Sequence, residues 1–224
     1  MKQNIKRFFC HRKTSLHTQV NAMSSPYLTG NKYEILCALP VVSELAEETL
    51  SSSQLEEAED ISLMLAGSKR QKREAIFRLM KIVAPPPKRP LYYAQHEMAF
   101  LPRWTRNGIR YLGDYIDLLV KALAYEFTKD PRCKQSSLGA NVRKLSSRKH
   151  GVPQELIDKL KKYNSFLYQP GKHDFNIPRG RSHRFTSKEV VFTAFITMKL
   201  ADGIKQLSQF ANKVSLQQAV VKDL

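Results

Sequence analysis

The sequence predicts an all-α fold: a C-terminal four-helix bundle over about residues 103–210, preceded by an N-terminal helical extension. Segments 105–127 and 186–210 carry this prediction, because their apolar residues recur every three or four positions, the period of one helix face. No segment shows the long alternation of apolar and polar residues that is typical of a strand. A content of 42% hydrophobic and 25% charged residues is typical of a globular chain with a core.

Residues 1–32 are expected to form a basic, flexible N-terminal arm. They contain six Lys or Arg and no acidic residue, and chain termini are poorly ordered unless they are tied down. A transit peptide is an alternative, since such peptides are basic, rich in serine and poor in acids. A third interpretation starts the protein at Met23, so that residues 1–22 would not be part of the mature chain.

Residues 33–90 are predicted to be a helical extension that ends in a proline-rich linker. SSSQLEEAEDISLMLAG begins with serines suited to a helix N-cap and closes on Gly67, a common helix stop. SKRQKREAIFRLMKIV has basic residues on one face and an apolar face made of Ala75, Ile76, Leu79, Ile82 and Val83. Residues 84–90, APPPKRP, interrupt any helix. They mark the boundary with the main domain, residues 91–224.

The main domain opens with a long amphipathic helix at 105–127. Asp117 and Lys121, four residues apart, are predicted to form an ion pair on its exposed face. A shorter helix is expected within 136–147. The apolar positions of the long helix are Ile109, Leu112, Ile116, Leu119, Leu123 and Phe127.

Two further helices complete the bundle. One begins at Pro153, a residue suited to the first helical position, and Pro170-Gly171 are expected to end it. Thr186 and Glu189 have the spacing of a capping box, and the helix that follows is apolar on most of its circumference. It should therefore be the buried centre of the bundle. Four of its apolar residues could instead serve a dimer or a partner helix, although core packing is favoured: Phe192, Phe195, Met198 and Phe210.

Charge is the unusual feature of the composition. The formal net charge is +17 with a pI near 9.9, which favours polyanionic partners such as nucleic acid. Residues 130–190 hold 14 Lys and Arg against five acidic residues. The positive charge is therefore centred on 130–190, the segment that contains the basic loop QPGKHDFNIPRGRSHRFTSKE, residues 169–189.

This basic loop supplies the candidate site residues. Its imidazoles and carboxylate are candidates for general acid–base catalysis: His173, Asp174 and His183. Its bases, together with its two histidines and nearby aromatic rings, are candidates for binding nucleic-acid phosphates and bases: Lys172, His173, Arg179, Arg181, His183, Arg184, Tyr168 and Phe175. Tyr163 and Phe185 lie close by as further stacking residues. The alternative is that the histidines bond backbone carbonyls in a rigid turn and the arginines are solvated.

Several site classes find no support in the sequence. No HExxH, Gly-rich phosphate loop or paired-carboxylate motif occurs, and three widely separated cysteines give neither a disulfide framework nor zinc-ligand spacing. No cofactor and no metal ion are expected. No segment is long and apolar enough to span a bilayer, so a cytoplasmic protein without membrane contact is expected.

The helix order and the motif KYNSFLY resemble the HEPN superfamily, small all-α bundles found in RNases, toxins and nucleotide-binding modules. The resemblance covers about residues 103–210. HEPN RNases place an arginine, often followed by asparagine, and then a histidine at the end of the third helix. Asn164 fits this pattern, but Tyr163 and Tyr168 stand where the arginine and histidine should be. A literal pair, Arg143 and His150, lies one helix earlier.

The function expected from these features is binding of RNA or another polyanion by a HEPN-like protein, without turnover. One alternative is a metal-independent RNase of the toxin or defence type that uses the 172–184 loop. His173 would then be the acid–base group, and Lys172 with Arg181 would support the phosphate. Another alternative is a helical protein–protein interaction module that forms a homodimer or binds a protein partner.

Overall fold

All regular secondary structure in the described part of the chain is helical, which confirms the all-α prediction. The computed structural model describes residues 38–83, 89–99, 105–147, 150–172 and 185–222, and no strand occurs within these ranges. The basic arm predicted at 1–32 lies outside the described residues. Residues 37–224 form one compact unit.

Nine α-helices are described, numbered here in chain order. Their bounds are α1 Ala38–Thr49, α2 Ser52–Ala66, α3 Lys69–Val83, α4 Arg89–Met98, α5 Thr105–Thr128, α6 Leu138–Leu145, α7 Gln154–Tyr163, α8 Gln169–Lys172 and α9 Ser187–Lys222. A 3₁₀ helix, Pro131–Lys134, links α5 to α6, and a π-helical turn, Asn164–Tyr168, joins α7 to α8. Helices α5, α6, α7 and α9 correspond to the four that the sequence predicts for the bundle.

Helix α9 is the buried centre of the molecule, as its sequence predicts. It packs against α1, α2, α3, α5 and α7. Phe192 and Phe195 are each 4% exposed, and Met198 is partly buried against the same core. Phe192 and Phe195 are therefore core residues, and they are not exposed for contact with a second copy or a partner helix. The side chain of Phe210 lies outside the described residues.

The start of α9 is fixed by the predicted capping box. The Thr186 backbone N–H donates to Glu189 Oε2 at 2.6 Å, and the Glu189 N–H donates to Thr186 Oγ1 at 3.2 Å. These reciprocal bonds satisfy two backbone donors that a helix start leaves without an intrahelical partner. The start of the central helix is therefore set by two residues that the sequence already identifies.

Helices α1–α3 belong to the same core as the bundle, so the predicted boundary at 84–90 does not separate two domains. Leu45, Ile61 and Leu79 are all 0% exposed and lie in one cluster with α9 residues. Lys188 of α9 also donates to Glu59 of α2 at 2.7 Å. The apolar faces of α1–α3 must be covered, and the all-round apolar surface of α9 is what covers them.

The predicted Asp117–Lys121 pair is present, but its expected exposure is wrong. Lys121 Nζ donates to Asp117 Oδ2 at 2.7 Å, while Asp117 is only 7% exposed. Helix α5 packs against α4, α6, α8 and α9, so most of its circumference is covered. A polar position that the amphipathic pattern assigns to solvent is thereby enclosed.

The predicted helix stop at Pro170-Gly171 is also corrected, since the helical path continues to Lys172. A proline ring obstructs hydrogen bonding to the carbonyl four residues earlier. The π-helical turn before Pro170 has already left that pattern, because the Gln169 N–H donates to the Asn164 carbonyl, five residues back. The helix therefore continues through Pro170 to Lys172.

Two glycines allow the π-helical turn and α8 to lie close against α5. A Cβ at Gly113 would overlap the ring of Tyr168. A Cβ at Gly171 would lie 3.1 Å from Ile109 Cγ2 and 3.3 Å from the Arg110 nitrogen, tighter than ordinary side-chain contacts. This close approach brings the end of α8 beside the first half of α5.

We expect Gly113→Ala to lower the free energy of unfolding by about 2 kcal/mol or more, because the added methyl overpacks the Tyr168 ring. Gly108→Ala, on the same helix, is the matched control. Its Cβ would meet Val190 Cγ1 at 3.5 Å, an ordinary contact, so the helix-propensity gain of up to about 1 kcal/mol should prevail. Urea unfolding of both variants measures the difference, and equal effects would contradict the close approach.

Candidate nucleic-acid interface

Most of the predicted loop residues lie outside the described part of the chain. These are His173, Asp174, Phe175, Arg179, Arg181, His183 and Arg184. The described chain reaches the loop at Lys172 and leaves it at Phe185. The site is therefore built from the residues on which the two ends of the loop are anchored.

The aromatic residues to which the sequence assigns base stacking are buried. Tyr163 is 0% exposed, Tyr168 1% and Phe185 3%. The Tyr163 hydroxyl pairs with Thr197 Oγ1 at 2.8 Å, inside the core. A base can stack only on a ring face that it can reach, so these three rings do not serve that role. Tyr163 at the end of α7, Tyr168 in the π-helical turn and Phe185 ahead of α9 all point into the core instead.

Tyr168 instead holds a polar network at the surface of the core. Its hydroxyl donates to Asp114 Oδ1 at 2.8 Å and accepts from Lys172 Nζ at 2.9 Å. Lys172 Nζ also lies 5.0 Å from the centre of the Tyr168 ring, within cation–π range. These two contacts with a buried tyrosine fix the position of Lys172, a predicted phosphate-binding residue. Lys172 itself is exposed.

Two arginines of α5 join Lys172. Arg110 Nε lies 3.9 Å from Asp114 Oδ2, and Arg106 Nε donates to the Gly171 carbonyl at 3.3 Å. Arg106, Arg110 and Lys172 thus lie along one junction between α5 and α8, and Asp114 links Arg110 to the Tyr168 hydroxyl that Lys172 contacts. We call these three residues the cationic edge. It stands where the chain enters the basic loop.

Burial sets the protonation of the two core tyrosines. It raises the pKa of Tyr163 far above its usual value, although the hydrogen bond with Thr197 acts in the opposite direction. Burial also raises the pKa of Tyr168, and the hydrogen bond to Asp114 and the nearby carboxylate charges add to that effect. Both hydroxyls therefore stay protonated at alkaline pH values at which an ordinary tyrosine ionises.

The literal arginine–histidine pair lies elsewhere. Arg143 is exposed on α6. His150 follows the end of that helix and packs edge-to-face against Phe127, with ring centres 6.3 Å apart. Neither residue belongs to the cationic edge, which is built from α5 and α8.

The described residues also bear on two further features, a metal site and a membrane-spanning helix. Within them, no group of three or more His, Cys, Asp or Glu side chains is placed to hold a metal ion. No helix among the described segments is long and apolar enough to cross a membrane.

Comparison of the chain with family models, curated proteins and solved structures gives no match. The chemistry of the site is therefore inferred from its residues.

Arg106 and Arg110 are functional candidates that the sequence prediction missed. They are spaced by four along an amphipathic helix, and Asp114 follows four residues later. This spacing places all three on one face, but surface bases of helices are common. What singles out these two is their approach to Lys172, which depends on the glycine contacts between α5 and α8.

We expect stability to fall at alkaline pH in a way that depends on Tyr163. Below pH 10 the hydroxyl is neutral in both states, whereas at higher pH it ionises in the unfolded chain and stays protonated in the core. Each such group lowers the free energy of unfolding by about 1.4 kcal/mol per pH unit above pH 10. Tyr163→Phe should reduce this slope by that amount.

Urea unfolding at several values between about pH 9 and pH 11.5 measures the slope. Tyr92→Phe is the control, since it removes the same hydroxyl from a ring that is 62% exposed and not buried. A Tyr163→Phe slope equal to that of the wild type would contradict the buried, protonated state of this hydroxyl.

Proposed function

We propose that this protein binds nucleic acid through the cationic edge and the basic loop that follows it, without cleaving it. The observation that carries the proposal is the meeting of Arg106, Arg110 and Lys172, from two helices, at the entrance to a loop with three more arginines. Side chains of like charge repel, so their convergence costs stability unless an anion neutralises them. A phosphate would bring further negative charge to this edge, beside the Asp114 carboxylate that pairs with Arg110.

The chemistry of the edge suits phosphate. A guanidinium offers several N–H donors in a planar fork that matches phosphate oxygens, and an ammonium adds a mobile point charge. Arg110 and Lys172 are both exposed, so an extended phosphate backbone can reach them. The formal charge of +17 adds long-range attraction for any polyanion.

Binding without turnover is supported by the residues at the positions that the HEPN resemblance makes catalytic. Tyr163 and Tyr168 stand there, both buried and both held protonated. A neutral phenol in the core neither carries the charge of an arginine nor exchanges protons near neutral pH as a histidine does. The proposed relationship to HEPN proteins rests on the helix order. It is a similarity of fold without the catalytic arginine and histidine.

We expect the salt dependence of binding to report on the cationic edge. The double variant Arg110→Gln/Lys172→Gln should bind an oligouridine more weakly and lower the slope of log K against log salt by about 1.4, since two phosphate contacts are lost. Arg70→Gln/Lys72→Gln is the matched control, because it removes equal charge from the exposed face of α3.

Fluorescence anisotropy between about 50 and 300 mM NaCl measures both slopes. Equal losses in the two double variants would mean that only net charge matters and that no local site exists. No binding by the wild-type protein at the lowest salt would reject the proposed function.

We also expect RNA to be recovered intact after prolonged incubation, both with EDTA and with Mg²⁺. Denaturing gel electrophoresis checks this result. Cleavage in EDTA that is lost in His173→Ala but kept in His150→Ala would contradict the proposal and establish the metal-independent RNase. A protein that elutes as a stable dimer and binds no RNA would instead favour the interaction module.

A further inference from the structure

A row of tyrosines lies on α4 and α5, away from the residues to which the sequence assigns stacking. Tyr92 is 62% exposed and Tyr93 37% exposed. Their ring centres are 5.8 Å apart in an edge-to-face arrangement. Tyr93 in turn lies 5.3 Å from Tyr111 of α5, with the planes tilted by 33°. We call Tyr92, Tyr93 and Tyr111 the tyrosine row.

The tyrosine row is anchored to the protein core at one end. Tyr111 is partly buried and packs against the core, so the stack of rings is held from below. Aromatic rings are usually buried in a protein core or in an interface. The two outer rings here keep a large surface in solvent.

The row continues directly into the cationic edge. Arg110 Cζ lies 5.8 Å from the centre of the Tyr111 ring, and the same guanidinium pairs with Asp114. Asp114 accepts the hydrogen bond of Tyr168, to which Lys172 donates. A chain of contacts therefore joins the exposed rings to the exposed cations, from Tyr92 to Lys172, and passes through the buried Tyr168.

We infer that the tyrosine row is a stacking platform for unpaired bases, which makes single-stranded nucleic acid the ligand class of this surface. The inference rests on the proposed binding of nucleic acid at the cationic edge. Aromatic rings beside a positively charged track are the combination by which single strands are held: the cations follow the phosphates and the rings stack on the bases.

The neighbouring charge favours a nucleic acid over a protein partner. Tyrosine and arginine are also common in protein–protein interfaces, but this row runs into three cations, Arg106, Arg110 and Lys172, on a chain of formal charge +17, and such a field attracts a polyanion. A duplex fits less well, because its bases are already stacked on each other and offer no free face. Bases of RNA and of DNA both present the required ring, so the experiment compares the two sugars.

The test separates bases from phosphates. Three labelled 20-mers are used: oligouridine, oligothymidine and an abasic strand with the same number of phosphates. Wild-type protein should bind both base-bearing strands more tightly than the abasic one. In Tyr92→Ala, and more so in Tyr92→Ala/Tyr93→Ala, affinity for the base-bearing strands should fall by about 5- to 150-fold per lost stack. Affinity for the abasic strand should stay unchanged.

Tyr125→Ala is the matched control. Tyr125 lies on the same helix as Tyr111, is exposed to the same 37% as Tyr93, and has its own cation, Lys134 Nζ, 4.8 Å from its ring centre. It is fourteen residues further along α5, about 21 Å at 1.5 Å per residue. This variant should bind all three strands as the wild type does. Tyr92→Phe keeps the ring and should also keep binding.

The outcomes distinguish the two proposals. If the wild type binds all three strands equally well, the stacking platform is rejected while the cationic edge stands. If the tyrosine variants and Tyr125→Ala lose affinity alike, the row has no special role and the inference is overturned. Failure of the wild type to bind any strand rejects the proposed function itself. A melting temperature near that of the wild type, measured by circular dichroism, shows that each variant is folded.

Discussion

The rest of the structure depends on the burial of α9. This helix is apolar around most of its surface, and such a helix is stable in water only when other elements enclose it. The four helices of a minimal bundle do not do so alone. Helices α1, α2 and α3 complete the enclosure, and in return α9 covers their apolar faces. The N-terminal helices and the bundle therefore stabilise each other through one shared core.

Packing around α5 is the second constraint, and it determines the surface that we propose to be functional. Gly113 and Gly171 remove the side chains that would keep the π-helical turn and α8 away from α5. The Tyr168 ring fills the space over Gly113, and its hydroxyl then meets Asp114 and Lys172. A buried phenol thus links the exposed ammonium of Lys172 to the carboxylate that pairs with Arg110. Core packing and surface charge are linked through one residue.

The tyrosines of this chain illustrate how burial assigns chemistry. Tyr163 and Tyr168 are enclosed, so burial raises the pKa of their hydroxyls and keeps their rings out of reach of a ligand. Tyr92 and Tyr93 have the same side chain but keep their rings in solvent. Only the second pair can offer a flat apolar face to a ligand. A tyrosine combines an apolar ring with a polar hydroxyl. The buried pair uses the hydroxyl for hydrogen bonds in the core, whereas the exposed pair keeps part of its ring surface in contact with water.

The sequence by itself determined the helices and much of the core. The three-to-four spacing in α3 and α5 and the capping box of Thr186 and Glu189 are local signals, because helix periodicity and caps depend on residues within one or two turns. Tertiary structure alone decided that α1–α3 share the core, that Asp117 is enclosed, and that the path continues past Pro170. It also decided which tyrosines face water and that Arg106 and Arg110 approach Lys172. Most of these outcomes depend on contacts between residues on different helices, such as that of Arg106 with Gly171, and no local pattern encodes which helix covers which face.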